Sequence, residues 1–246
     1  MTSTLMLGAV AYDPKVVTIW EGFRAWFADR DFDFDYLLFS SIAMRDSDCD
    51  LTSVVVVRAD SGIADPTELK GLTVGVGAVD SPQATLLPLS YLRSLGVSPG
   101  IDVTIRRFDA LGGKHGDHIG GERDAARALM AGEVDAACMI DGNHLLYGRE
   151  GTLPSGTTTV IGQTGPYDHC NFTVIGDPHV AKIERFLALL LGMSYDDPEV
   201  RPLLDLEGLK EWRAGRVEFY APLERAVDEV GFYDADGNVV AADYRP

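Results

Sequence analysis

Hydrophobic and polar positions along this chain follow two periods, and each predicts a different element. Short apolar or β-branched runs mark strands at Leu5–Ala11, Phe34–Phe39, Ser53–Val57, Leu72–Gly77, Val103–Phe108, Ala136–Ile140, Thr157–Gln163 and Phe172–Ile175. Between them, apolar residues recur at helical spacing. Val16, Ile19, Trp20, Phe23 and Phe27 form a stripe over Lys15–Arg30. Further helices are predicted from Pro82 to Leu95, closed by Gly96, and over Glu122–Met130. From Pro178 the pattern is helical in stages: Ile183–Met193, a helix opened by Asp197-Pro198-Glu199, and Leu223–Val230 ending at Gly231. Phe232–Val240 reads as a terminal hairpin with a plain turn. Ile42–Asp50 and Thr164–Asn171 follow neither period and read as connections. Strands alternating with helices predict an α/β fold with a mostly parallel sheet.

The stretch Leu72–Leu89 gathers several signals. A buried strand leads through the small residues Ala78 and Val79 into Asp80-Ser81-Pro82, which opens a helix. Asp80 or Ser81 suits the N-cap, and Pro82 suits the first turn, where its missing N–H costs nothing. Backbone N–H groups at such a helix start attract anions.

Charge narrows the partners. The 246 residues carry a net charge of −17, which argues against binding nucleic acid or anionic membranes. A small anionic ligand stays compatible, because a few N–H groups and one arginine outweigh a distant average field. No apolar run reaches membrane-spanning length, so no membrane insertion is expected. The N-terminus lacks a basic segment followed by an apolar core. The expected location is therefore cytoplasmic for the chain as given, or periplasmic or otherwise extracytoplasmic for a mature form cut from its leader. Cys49, Cys138 and Cys170 form neither a disulfide framework nor a zinc-ribbon pattern.

Two polar clusters invite chemistry. Lys114-His115-Gly116-Asp117-His118 lies in a glycine-rich loop with Glu122 close behind. It is expected to close over a cleft, with His118 bonding a ligand, rather than to hold a metal; no metal and no cofactor are expected. Asp168-His169-Cys170 is the second cluster. In an extended segment His169 and Cys170 point to opposite faces, so the two are not expected to meet. Arg123 opens a helix, either as a solvated residue or as an anion clamp. Asp141 ends a strand, as a cap for the next turn or as an acceptor for a ligand amine. Tyr12 is an interface ring or a stacking wall. Trp212-Arg213-Ala214-Gly215-Arg216 is read as a basic surface patch.

Three segments go further: VVVVRADSGI from Val54, DPTELKGLTVGVG from Asp65, and ALMAGEVDAACMIDGNHLLY from Ala128. Together they resemble the type 2 periplasmic-binding-protein fold, and within it the phosphate/phosphonate branch of ABC-transporter substrate-binding proteins. The resemblance implies two lobes with mostly parallel sheets, lobe one from residues 1–60 and 172–246 and lobe two from 61–171. Ser53–Arg58 and Asn171–Ile175 would be the crossovers. Lobe one is expected to lack one βα unit, because Phe39-Ser40-Ser41 runs almost directly into the first crossover. Ligands in open α/β sheets sit off the carboxyl ends of strands. On that basis the candidate ligand-binding residues are Tyr12, Asp80, Ser81, Gln83, Thr85, His118, Arg123, Asp141, His144 and His169. The implied function is capture of a small polar, anionic solute by lobe closure, with an ABC permease as partner. Asp80 and Pro82 in the anion nest favour a ligand with a hydrogen-bond donor or a single negative charge over a bare dianion. The alternative is a cytoplasmic enzyme of lyase or decarboxylase type on the same fold, using cleft His, Cys and Asp residues.

Overall fold

The computed structural model describes residues 5–6, 22–32, 34–35, 42–109, 119–173, 180–216, 218–234 and 238–241. Tyr12, His115, His118 and residues 36–41, on which the expected loss of a βα unit turns, lie outside the described residues. In chain order the strands are β1 (Leu5–Met6), β2 (Phe34–Asp35), β3 (Ala43–Arg45), β4 (Ser53–Arg58), β5 (Thr73–Val76), β6 (Thr104–Arg107), β7 (Ala136–Ile140), β8 (Thr158–Gln163) and β9 (Trp212–Ala214). The helices are α1 (residues 22–28), α2 (Leu87–Ser94), α3 (Ile119–Met130), α4 (Asp141–Glu150), α5 (Val180–Leu191), α6 (Arg201–Glu207) and α7 (Ala221–Val230). They form two compact units, Met1–Asp50 with Asp168–Phe219, and Leu51–Tyr167 with Tyr220–Pro246.

The second unit is built on a five-stranded sheet of order β6-β5-β7-β4-β8. β5 pairs in parallel with β6 and β7, while β4 runs antiparallel to both β7 and β8. Its sequence SVVVVR explains the central place of β4. Val54 and Val56 face one layer with Ala125, Leu129 and Tyr147, and Val55 and Val57 face the other with Val74, Leu89 and Leu92. A strand buried on both faces must be apolar on both. Each buried valine side chain contributes at most about 1.5–3 kcal/mol relative to exposure. The C-terminal helix α7 joins this unit through Ala226, which packs with Leu86, Leu87 and Tyr167. Pairing and packing thus place both β4 and α7 in the second unit.

The predicted helix from Pro82 to Leu95 begins with a wider turn. Leu86 N–H bonds Ser81 O at 2.9 Å, five residues back, and Leu87 N–H bonds Pro82 O, before α2 continues. Pro88 has no N–H to offer Ala84 O, and that carbonyl instead accepts from Gly77 N–H at 3.3 Å. Such π-type turns inside helices are frequent at functional sites. Gly77 is required by this closeness: a Cβ there would meet the Ala84 Cβ at 2.8 Å.

The first unit is held by aromatic packing between α1 and α5. Phe27 stacks on Phe186 with centroids 5.2 Å apart, and Phe172 lies 5.0 Å from Trp212. β1 and β2 pair in parallel. Two readings change here. Part of Ile42–Asp50 is strand β3, paired antiparallel with β9 from the stretch taken as a surface patch. Trp212 is buried against Phe23 and Phe172. Three-residue strands carry too few alternations to show a period, and their partners lie about 170 residues apart in sequence. The terminal hairpin forms as expected, with Tyr233 bridged to Val239 and Asp234 accepting from Asn238 N–H at 2.8 Å. Among the described residues, no helix is long and apolar enough to cross a membrane.

Candidate ligand-binding site

In the second unit, β5 and β7 both deliver their carboxyl ends to helix starts. After β5, Ser81 is buried and its Oγ accepts from Ala84 N–H at 3.2 Å, so it is the N-cap. Gln83 and Thr85 are 7% and 2% exposed, and Gln83 Oε1 and Thr85 Oγ1 have no hydrogen-bond partner. A buried polar atom left without a partner costs about 1–3 kcal/mol. Native structures keep few of them, and those they keep call for a cause.

After β7, Asp141 is the first residue of α4. Its Oδ2 accepts from Thr52 Oγ at 2.8 Å, and its Oδ1 from Gly142 N–H at 2.6 Å. Thr52 in turn accepts from Gln163 Nε2 at 2.8 Å, which fixes the carboxylate from two strands. Beside it lies Glu122, fully buried in the first turn of α3. Glu122 Oε2 accepts from Ile140 N–H at 3.1 Å and from Asn143 Nδ2 at 2.8 Å. Strand-end position picks out Glu122 beside Arg123, although it is not in the set of candidate ligand residues. Its signal was present, as an acid in the first turn of a helix otherwise lined by alanine and leucine.

Two other predicted residues of this unit have protein partners. Arg123 donates to both Glu150 oxygens, at 2.9 and 3.2 Å, and its guanidinium lies 5.2 Å from the Tyr147 ring centre. The hydrogen bonds that Arg123 donates to Glu150 hold its guanidinium above its usual range. His144 Nε2 is 3.3 Å from Thr158 Oγ, and burial pushes its imidazole below the usual range. A separate groove of 560 Å³ runs along the edge strand β6, lined by Thr85, Arg93, Asp102, Arg107 and Phe232. Thr85, at the helix start after β5, is the predicted ligand residue on its wall.

His169 belongs to the first unit. Contrary to the extended-chain expectation, His169 and Cys170 do meet, with Nδ1 3.2 Å from Sγ. The segment is irregular there, so strand alternation does not apply. The same Nδ1 is 3.3 Å from Oδ1 of the buried Asp48, which Arg45 grips through Nε and Nη2. Burial opposes the imidazolium, but the Cys170 sulfur and Asp48 outweigh it and raise His169 to about 10. Burial likewise opposes the Asp48 carboxylate, and the bonds from His169 and Arg45 outweigh it, holding Asp48 below its usual range. A nucleophile–base–acid relay needs the two ring nitrogens to serve different partners. Here one nitrogen faces both, so the trio is not arranged as a proton relay.

The arginine read as part of a surface patch is an anchor of the same unit. Arg216 donates to both oxygens of the buried Asp168, each at 2.7 Å, and to Asp50 at 2.6 Å.

Comparison with known proteins gives the fold and the family. Among curated proteins, none matches in sequence. Among solved structures, a protein of Xanthomonas citri bound to ATP superposes with a TM-score of 0.69 at 15% identity, covering 93% of this chain and 100% of its own. PhnD1 from Prochlorococcus marinus, in complex with methylphosphonate, gives 0.66 at 14% identity, with 93% and 98% covered. The aliphatic sulphonate-binding protein SsuA of Escherichia coli gives 0.56 at 15% identity, with 94% and 87% covered. These likenesses establish the type 2 periplasmic-binding-protein fold. Residues 19–220 match the phosphonate periplasmic substrate-binding protein of ABC transporters, over most of the chain. This chain therefore belongs to the family of phosphonate substrate-binding proteins of ABC transporters.

Proposed function

We propose that this chain captures a small phosphonate-type anion that also carries a hydrogen-bond donor, and presents it to an ABC permease outside the cytoplasm. The observation that carries this reading is the pair of buried atoms, Gln83 Oε1 and Thr85 Oγ1, without partners at the helix start after β5. Thr85 Oγ can donate to an anionic oxygen, while Gln83 Oε1 only accepts and calls for a donor. Asp141 and Glu122, at the neighbouring strand end, supply the charge that an ammonium group would seek. A ligand with a negative head and a positive tail satisfies both, and a bare dianion satisfies one. PhnD1, of the same fold, holds methylphosphonate.

In this reading the solute is captured by lobe closure. Arg123 exchanges Glu150 for the ligand, a small change because exposed ion pairs are weak. Asp80, Ser81, His144 and His169 complete the set, with Tyr12 and His118 added by chain position.

Isothermal titration against methylphosphonate, an aminoalkylphosphonate, inorganic phosphate and an alkylsulfonate tests this. The aminoalkylphosphonate is expected to bind most tightly. No binding to any of the four overturns the ligand class, and a preference for phosphate overturns the donor argument.

A further inference from the structure

We infer that Asp48, His169 and Cys170 form a binding site for one thiophilic divalent cation of the zinc type, within the first unit. Three donors of three kinds converge: imidazole Nδ1, thiol Sγ and a carboxylate oxygen all lie within 4.8 Å of one another. Nδ1 is 3.2 Å from Sγ and 3.3 Å from Asp48 Oδ1. Four-coordinate zinc, with bonds of about 2.0 Å to nitrogen and oxygen and about 2.3 Å to sulfur, sets neighbouring ligand atoms about 3.3–3.6 Å apart. Two edges of one tetrahedral face are thus already near their bonded length, and the third, from Asp48 oxygen to Cys170 Sγ, lies within 4.8 Å.

The surroundings fit a metal site. Ligating carboxylates are held by outer hydrogen bonds, and Asp48 is held by Arg45. His169 is fixed through its backbone N–H, which donates to Asp48 O at 2.9 Å. Exposure rises from buried Asp48 through half-buried His169 to exposed Cys170. The fourth position therefore faces water. The cation's two charges are balanced by the Asp48 carboxylate and the Cys170 thiolate. Arg45 opposes the cation, and Glu207, 3.3 Å from Arg45, offsets that charge. A thiolate with an imidazole favours zinc over magnesium or calcium, which take oxygen donors. Binding releases the Cys170 thiol proton, and the His169 proton where the ring carries one.

The place in the chain gives the site a role. Asp48 precedes the passage between units at Asp50, and His169 and Cys170 follow the return passage at Asp168. A cation here ties together the two chain segments from which both passages start.

The test uses the full chain, stripped of metal with a chelator and then titrated with Zn2+ and with Co2+. One equivalent of either is expected, and Co2+ should show an intense thiolate charge-transfer band. Zn2+ should also protect Cys170 from alkylation while leaving Cys49 reactive. Cys170→Ser, at an exposed position, should abolish the band and weaken binding by more than the roughly 10–100-fold that loss of an outer-shell partner costs, and His169→Ala should weaken it similarly. Cys49→Ala should change nothing. Melting curves without metal show which variants are folded; if His169→Ala is not, Cys170→Ser alone decides. Failure to bind one equivalent overturns the assignment. So does a band that survives Cys170→Ser, which would place the metal on another thiol, Cys49 or Cys138.

Discussion

Arg216 holds the buried carboxylate of Asp168 with two parallel hydrogen bonds, Nε to Oδ2 and Nη2 to Oδ1, both 2.7 Å long. This fork-to-fork geometry is the strongest form of the arginine–carboxylate bond. Asp50 N–H also donates to Asp168, so one carboxylate ties the last residue before the first passage to the first residue after the second. Removing the guanidinium leaves an uncompensated buried charge. Arg216→Met should therefore cost about 2 kcal/mol, less than for a fully buried pair because Arg216 is partly solvated. Urea unfolding followed by far-UV circular dichroism measures it. A midpoint equal to that of the unaltered chain would show that Asp168 finds another partner.

The unpartnered atoms of the β5 turn should trade stability against binding. Thr85→Val keeps the shape of the side chain and removes its buried hydroxyl. Without ligand the variant should be as stable as the parent or gain about 1 kcal/mol, since an unpaired polar group is gone. With ligand it should bind more weakly. Thermal melts and titration calorimetry on the same sample read both effects. Loss of stability without ligand would mean that the hydroxyl already has a partner.

Close packing of Gly77 on Ala84 should appear as a coupled pair. Gly77→Ala places a methyl group 2.8 Å from the Ala84 Cβ and forces the turn outward. Overpacking of this kind costs about 1–3 kcal/mol. Ala84→Gly in the same chain should recover much of that cost, because the two changes act on one contact. Denaturation of the two single variants and the double variant gives the interaction. Simple additivity would place the strain of Gly77→Ala elsewhere.

Acid should weaken the second unit through His144. Burial holds this imidazole below its usual value of 6.5, so the folded state binds the proton less readily than the unfolded chain. The His144 contribution is then fully present above pH 6.5 and is lost as pH falls through the lower folded value. His144→Gln removes the titration and keeps a polar group for Thr158. Its urea midpoint should fall less than the parent's between pH 7 and pH 5, and equal slopes would assign the acid sensitivity to other groups.

Much of the second unit was legible in the sequence, because its elements are long enough to show their periods. The run Val54–Val57 announces a strand buried on both faces. Ser81 before Pro82 announces a helix start, and Ser81 is its N-cap. Asp141 at the end of an apolar strand announces the next turn of helix, and it is the first residue of α4. The resemblance of Val54–Ile63, Asp65–Gly77 and Ala128–Tyr147 to a binding-protein family carried the fold, and the family match over residues 19–220 agrees with it.

What the sequence determined by itself is thus local: which segments alternate, which turn, and where a helix starts. Tertiary structure decided the rest, because it depends on partners far apart in the chain. At the wider turn before Pro88, the Ala84 carbonyl, which Pro88 cannot serve, accepts from Gly77 N–H across the loop. β3 became a strand only because β9 came to it. His169 and Cys170 meet because the chain is irregular there and Asp48, 121 residues away, bonds the same ring nitrogen. Arg216 is an anchor and not a free surface charge because the buried Asp168 lies beside it. A short strand, an ion pair and a shared ring nitrogen have no period along the chain, so only the folded contacts reveal them.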